Sequence, residues 1–430
     1  MFHTRLSQYA DIVVYLMGII LFLWAFFGDP KKPFLFVVAI LPFQNILRKI
    51  QALPMGKDLL DVLLFAIILG WFIKCKKESR RFIEKDPLNL IILFLMIYTF
   101  ISLVLGAFYL NNQATMITRM QTWKNYMLLP IFYLITKNNI KDKKWIQLTT
   151  VVICVSIFVM GYNFFKNFKG KDVLDYSNTL RESGTFVYLG SNEYAAFFSQ
   201  YMFILLGLFF SDKQILRKTL LGVTILFCIY CVLFLFSRGA YIGVAIGIVL
   251  ISFLRKKIFL VPLLLLLISW NTLLPPSVVQ RISMTKTETG ELEHSAVLRI
   301  EMWEQCKELF AKNPVFGVGF NTIPYLGLVL GDSHNIYLKI LVEQGVIGMI
   351  IFLILLWSAF KSGWSLYRTS NDQYLKGLGL GFMVCVVVLM ILNFFGDRWT
   401  YLELSAYFWV FWGLVNSSRK ISTEEIERKK

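Results

Sequence analysis

The sequence predicts an all-α membrane protein: a polytopic bundle of about 12–13 transmembrane helices with one long outer loop carrying an amphipathic helix. Three observations predict it. The 430 residues are 57% hydrophobic and only 17% charged, more apolar surface than a single soluble core can bury. Apolar runs long enough to cross a bilayer recur along the chain, and spanning helices satisfy their own backbone hydrogen bonds in lipid. The net charge of +17 is held in short basic clusters between those runs, such as Lys74–Arg81 and Lys141–Lys144. That is the positive-inside pattern of cytoplasmic loops, and it argues against nucleic acid as a partner.

In chain order the apolar runs fall at 10–28, 33–47, 59–74, 88–110, 117–135, 145–165, 192–210, 217–236, 239–254, 257–272, 335–358, 377–394 and 401–416. The first has no small-residue cleavage site after it and reads as a retained span. The 33–47 run is short and contains prolines, which fits a re-entrant or tilted piece. The basic segments 74–87, 136–144, 211–218, 255–257 and 361–376 and the tail from Arg419 belong on the cytoplasmic side. Alternation then puts 111–116, 166–191, 237–239, 273–334 and 395–400 on the outer side. Arg48, Lys49 and Lys57 break this parity, so the orientation of the N-terminal spans stays open. Four regions follow: N-terminal spans in 1–165, central spans in 166–272, the long outer loop in 273–334, and C-terminal spans with a cytoplasmic tail in 335–430. Gly377-x-Gly379-x-Gly381 and Gly243-x-x-x-Gly247 lie inside spans and read as close helix packing. Four of the six cysteines lie in apolar runs, where they pack as small hydrophobes; Cys228-x-x-Cys231 has no second pair nearby, and no disulfide is predicted.

The long loop holds a helix over 296–312, with Ser295 as N-cap, Glu291 and Glu293 before it and Asn313-Pro314 as its stop. Met302, Trp303, Cys306, Leu309 and Phe310 make one apolar stripe, the spacing of a helix lying on a surface. Arg299 continues that stripe, and a guanidinium there needs an anionic partner.

Candidate chemistry gathers on the outer side. His334 sits in Asp332-Ser333-His334-Asn335, where the loop meets the next span. From position alone it fits a general base or a group that caps the helix. Arg181, Arg238 and Arg299 run against the charge rule for that side, so each calls for a local reason. Guanidinium groups converging there would suit a diphosphate; a single one would equally suit a lipid headgroup. Arg119 and Lys124 interrupt a span, facing either a cavity for an anionic lipid or the interface. Asp397-Arg398 reads as a simple ion pair. No phosphate-binding loop, zinc-protease motif or G-x-S-x-G elbow occurs, and no His/carboxylate cluster has metal-ligand spacing.

Three blocks of this chain resemble the bacterial O-antigen ligases and their relatives, the O-antigen polymerases and O-linked protein oligosaccharyltransferases. They are Ser237-Arg238-Gly239-Ala240-Tyr241-Ile242-Gly243; Arg299-x-x-Met302-Trp303 running into Asn313-Pro314-Val315-Phe316-Gly317-Val318-Gly319; and Ser333-His334-Asn335-Ile336-Tyr337-Leu338 continuing to Glu343-Gln344-Gly345-Val346-Ile347-Gly348. A fourth is Arg181-x-x-Gly184-Thr185-Phe186 leading to Asn192, where Gly190-Ser191-Asn192 departs from the Asn-Pro-Asn common in relatives. The resemblance implies a metal-independent, cofactor-free, inverting glycosyltransferase in the bacterial inner membrane, its site facing the periplasm. The donor would be an undecaprenyl-diphosphate-linked glycan and the acceptor lipid A–core, a repeat unit or a protein hydroxyl, with the long loop favouring lipid A–core. By the same resemblance His334 would be the base and Arg181, Arg238 and Arg299 would hold the diphosphate, supported by Asn335, Trp303 and Ser237.

Overall fold

The computed structural model describes residues 2–43, 50, 59–111, 115–185, 189–255, 257–284 and 294–427, and the regular elements among them are all helical. The N-terminal group is α1 (Phe2–Phe27), α2 (Lys31–Ile40), α3 (Leu59–Lys77), α4 (Pro87–Leu110), α5 (Met116–Asn139) and α6 (Lys143–Phe168). A short α7 (Asn178–Glu182) leads to α8 (Ser191–Phe209), α9 (Ile215–Phe234) and α10 (Arg238–Leu254). Then come the short α11 (Leu260–Ile268), α12 (Trp270–Leu273) and α13 (Pro276–Ser283), the loop helix α14 (His294–Lys312), and α15 (Ile336–Thr369), α16 (Gln373–Leu392) and α17 (Leu402–Glu427).

Among the described residues, five helical segments are long and apolar enough to cross a membrane: Pro87–Leu110, Lys143–Phe168, Ile215–Phe234, Ile336–Thr369 and Gln373–Phe395. The protein is a multi-pass membrane protein. Aspartate side chains cap three of them: Asp86 accepts from Leu88 N–H, Asp142 from Trp145 N–H, and Asp372 from Tyr374 and Leu375 N–H. The bundle centres on α16, which packs against α8, α10 and α15, while α17 lies on α5 and α15. Small residues permit this. A Cβ on Gly207 would lie 2.4 Å from the Gly377 carbonyl, one on Gly379 2.9 Å from that of Gly363, and one on Gly247 2.2 Å from the Phe203 ring. The glycine runs are helix-packing seams, as expected.

Ion pairs sort the loops. Glu84 takes both Lys141 (2.5 Å) and Lys420 (3.0 Å), Lys143 pairs with Asp372, and Lys74 with Asp29 (3.1 Å). The basic loops therefore meet at one end of the bundle, and the turn before α2 belongs to that end. Arg48, Lys49 and Lys57 lie outside the described residues.

Three expectations are corrected. The run 257–272 is not one span: α11 has nine residues, about 13 Å of rise, too short to cross. Helix α14 starts at His294, so Ser295 lies within it and not at the N-cap position; Glu291 and Glu293 fall outside the described residues. Arg119 neither faces a lipid cavity nor snorkels. It is fully buried, donating to Phe320 O (2.7 and 3.1 Å) and Leu103 O (2.9 Å), and Lys124 pairs with Asp61.

That arginine belongs to a knot between α4, α15 and the 313–320 strap. At Gly345 (φ 63°) α15 leaves helical geometry, which frees carbonyls on its first turns. Val318 and Gly319 N–H fill Val342 O and Glu343 O, both at 2.8 Å, and Val346 N–H donates to Pro314 O at 2.9 Å. From α4, Tyr98 donates to Gln344 O (2.6 Å), Ser102 to Glu343 O (3.0 Å), and Phe320 N–H returns to Ser102 O (3.0 Å). A Cβ on Gly345 would stand 2.2 Å from Val315 O, and one on Gly319 (φ 112°) 2.1 Å from Gly106 Cα.

Gly345→Ala combines a left-handed φ with a backbone clash and is expected to cost about 2 kcal/mol or more. Thermal unfolding of the purified protein in detergent checks it; an unchanged midpoint would mean that the strap can move aside freely.

Candidate active site

The end of the bundle opposite the ion-paired basic loops carries the predicted residues. His334 is set by its neighbours on both sides. Asn335 caps α15, accepting from Tyr337 N–H (3.0 Å) and Leu338 N–H (3.3 Å). The cap is therefore Asn335, and the imidazole is left with other work. Ser333 is fully buried; its hydroxyl donates to Asn335 O (2.8 Å), and its carbonyl accepts the Trp303 indole N–H (3.0 Å). Between these anchors His334 adopts φ 49°, a left-handed conformation uncommon for a non-glycine residue.

The amphipathic α14 makes this possible. Met302 and Cys306 are fully buried with Val318, Ile323 and Val342, and Leu309, Phe310 and Leu338 pack around them. The stripe predicted from spacing thus seals the strap against the start of α15, and the same helix carries Arg299 and Trp303 to the histidine.

Four charged groups act on the half-buried imidazole. Partial burial lowers its pKa from the ordinary 6.5; Asp332 opposes that, Arg299 adds to it, Glu193 opposes it and Arg398 adds to it. The neutral form is favoured near pH 7, the form that can accept a proton.

Glu193 and Arg398 were not foreseen in this role. Asp397-Arg398 is not an ion pair: Arg398 Nη1 donates to Glu193 Oε1 (2.7 Å), while Asp397 takes Lys339 Nζ (2.9 Å). Burial alone would raise the Asp397 carboxyl, but Lys339 and the Thr400 hydroxyl and N–H outweigh it and hold it below its ordinary value. A Cβ at Gly396 would lie 2.6 Å from Arg398 Nη2, so the backbone there closes on the guanidinium. Adjacent acid and base side chains at 397 and 398 look like a pair in one dimension; consecutive turn residues point apart and find partners on α15 and α8.

The arginines divide. Arg299 lies within electrostatic reach of His334. Arg181 Nη2 donates to Asn192 Oδ1 (2.6 Å) and lies within reach of the Tyr241 hydroxyl. Arg238 heads α10 at the same end, where a Cβ on the next residue, Gly239, would touch the Phe395 ring at 2.8 Å. Ser237 is buried, and its side chain makes no cap bond to α10. Asn192 and Glu193, neighbours on the first turn of α8, tie the two groups together: one holds Arg181, the other Arg398. Among the described residues no group of three His, Cys, Asp or Glu could hold a metal ion.

The fold is a membrane-spanning helix bundle, and one end of it places an imidazole within electrostatic reach of two guanidinium groups. Residues 223–353 match the family model described as O-antigen ligase. The match supports membership of the O-antigen ligase superfamily, with a glycosyltransferase activity of the ligase or polymerase type on lipid-linked glycans. It spans Ser237, Arg238, Arg299, Trp303, His334 and Asn335; Arg181, Glu193 and Arg398 lie outside it. No curated protein matches the chain.

Trp303→Phe removes the indole N–H that holds Ser333 O and should cost about 1 kcal/mol of stability. Turnover should fall with it, as the His334 turn loosens. A variant equal to wild type in melting temperature and rate would show that the indole does not set that turn.

Proposed function

We propose that the protein is a metal-independent, inverting glycosyltransferase that moves a glycan from undecaprenyl diphosphate to lipid A–core. On this reading it lies in the inner membrane with its site facing the periplasm. The observation that carries the proposal is the placement of His334: anchored by Asn335 and Trp303, half-buried, shifted toward its neutral form, and facing Arg299 and Arg398. His334 takes the proton of an acceptor sugar hydroxyl as that oxygen attacks the anomeric carbon from the side opposite the diphosphate. The glycosyl–oxygen bond to the carrier breaks, and undecaprenyl diphosphate leaves with the electron pair. Arg181, Arg238 and Arg299 stabilise the charge that grows on the departing phosphates. Diphosphate is a good leaving group, so fixed cations suffice to assist it. The long loop with its single amphipathic helix favours lipid A–core as the acceptor over a second repeat unit or a protein.

The direct test is His334→Ala in purified protein given a carrier-linked donor: transfer should be lost, falling about 10²–10⁴-fold, while donor binding survives. Retained turnover removes the base. In a deletion strain, loss of all core-linked polymer with intact carrier-linked chains is the expected result, whereas single repeats left on the core would assign a polymerase.

The pH dependence has a definite sign. Protonation disables the base, so activity falls as pH drops through the His334 pKa, which lies below 6.5. Arg299 lowers that pKa, so Arg299→Gln should move the acidic limb to higher pH; Asp332 raises it, so Asp332→Asn should move the limb lower. Limbs that stay fixed in both variants would mean that the titrating group is not His334.

A further inference from the structure

Away from the candidate active site, the end of the bundle where the basic loops meet carries a cleft of about 570 Å³. Three parts of the chain wall it: the start of α6 at Lys143 and Gln147, the turn from α8 into α9 with Arg217, and the turn into α16 at 371–374.

The wall is polar and positive. Lys143, Lys213 and Arg217 stand against two carboxylates, Asp212 and Asp372, so the cations are in excess. The carboxylates do not use up their donors. Arg217 gives Nε (2.7 Å) and Nη2 (2.9 Å) to Asp212, which leaves Nη1 to donate elsewhere. Its guanidinium is held 5.4 Å from the centre of the Tyr374 ring, so the fork is fixed in advance. Lys143 pairs with Asp372 and keeps further ammonium hydrogens, while Lys213, exposed at the rim, has no acidic partner among the described residues. Ser211 lines the same wall; it is 7% exposed, and its hydroxyl has no hydrogen-bond partner among the described residues. A buried hydroxyl left unpaired is costly. Helix α9 begins here at Ile215 without a side-chain cap, with the positive end of its dipole toward this end of the bundle. These groups suit phosphate oxygens, and the amides of Gln147, Gln214, Asn371 and Gln373 suit hydroxyl groups beside them.

The surroundings say which kind of phosphate. Ile215 and Leu216, on the first turn of α9 next to the cleft, are 72% and 75% exposed. Asp212, Arg217 and Tyr374 also line a narrow crevice between α6 and α9, where Val151, Cys154, Leu220 and Leu221 supply apolar walls. A positive cleft between helix ends, with apolar side chains exposed at its lip, fits a lipid headgroup whose chains run along α9.

We propose that this cleft binds the phosphodiester headgroup of an anionic membrane phospholipid that also carries hydroxyl groups, in the leaflet of the basic loops. The site stands apart from the transfer reading: it lies at the opposite end of the bundle from His334 and shares no residue with it.

The test measures binding of phosphatidylglycerol and phosphatidylcholine with matched acyl chains to the full-length protein in detergent, read by native mass spectrometry across a lipid titration. Wild type should hold phosphatidylglycerol about tenfold more tightly, and equal affinities overturn the proposal. Lys213→Glu should cut phosphatidylglycerol affinity about tenfold and leave phosphatidylcholine unchanged; an affinity equal to wild type overturns the site. Lys361→Glu makes the same charge change at an exposed position of α15 outside the cleft, and should stay within about twofold of wild type. Equal losses in the two variants would mean attraction to the whole basic surface and overturn the cleft. Lys213→Gln removes the charge without reversing it and should lose about threefold, which decides the matter if the reversed variant does not fold. Glycerol 1-phosphate carries the phosphate and hydroxyls without the chains and should compete only at concentrations about a hundredfold higher. Equal potency would give the cleft to a soluble phosphate ester and overturn the lipid.

Discussion

The structure depends on a break in one helix. Where α15 gives up helical geometry at Gly345, its carbonyls at Val342 and Glu343 lose their usual partners, and a buried carbonyl without a donor is costly. The 313–320 strap supplies those donors through turns in which Gly317 and Gly319 take positive φ, and α4 closes the other side through Tyr98 and Ser102. Arg119 then locks Phe320 O to Leu103 O from within the bundle. This exchange is backbone to backbone, so it fixes distance as well as contact. The loop helix α14 can seat Met302 and Cys306 on that strap only because the strap has been fixed first, and Arg299 and Trp303 come with it to His334.

A second consequence concerns charge. The site end gathers buried or half-buried ions that would each be costly alone. The arrangement resolves them in pairs across elements: Lys339 of α15 with Asp397, Arg398 with Glu193 of α8. Around His334 two anions and two cations act in opposite directions, and desolvation, the largest influence, lowers its pKa and favours the neutral imidazole.

Much of this was legible before any coordinates. Apolar runs and basic loops announced a helical membrane bundle, because lipid permits little else for a backbone. The stripe from Met302 to Phe310 announced a helix that lies on a surface, and the glycine runs announced tight seams. What failed did so for local reasons. The run 257–272 has the hydropathy of a span, yet its helix is nine residues long, a fact that hydropathy does not encode. Asp397 and Arg398 looked like partners because they are neighbours. Glu193 gave no motif at all: its place beside Arg398 comes from where α8 sits in the bundle, and a pattern of residue types at fixed spacing does not carry that.

The amino-acid sequence alone determined the class of fold and the surface-lying stripe of the loop helix, since hydropathy, charge bias and local spacing are properties of the chain itself. Only the tertiary structure decided which charged groups act on the imidazole, and that Arg398 pairs with Glu193 while Asp397 takes Lys339. The Arg398–Glu193 pair joins residues 205 apart in the chain. Long-range pairing of that kind is set by packing and by the directions of side chains on separate elements, and no local pattern records it.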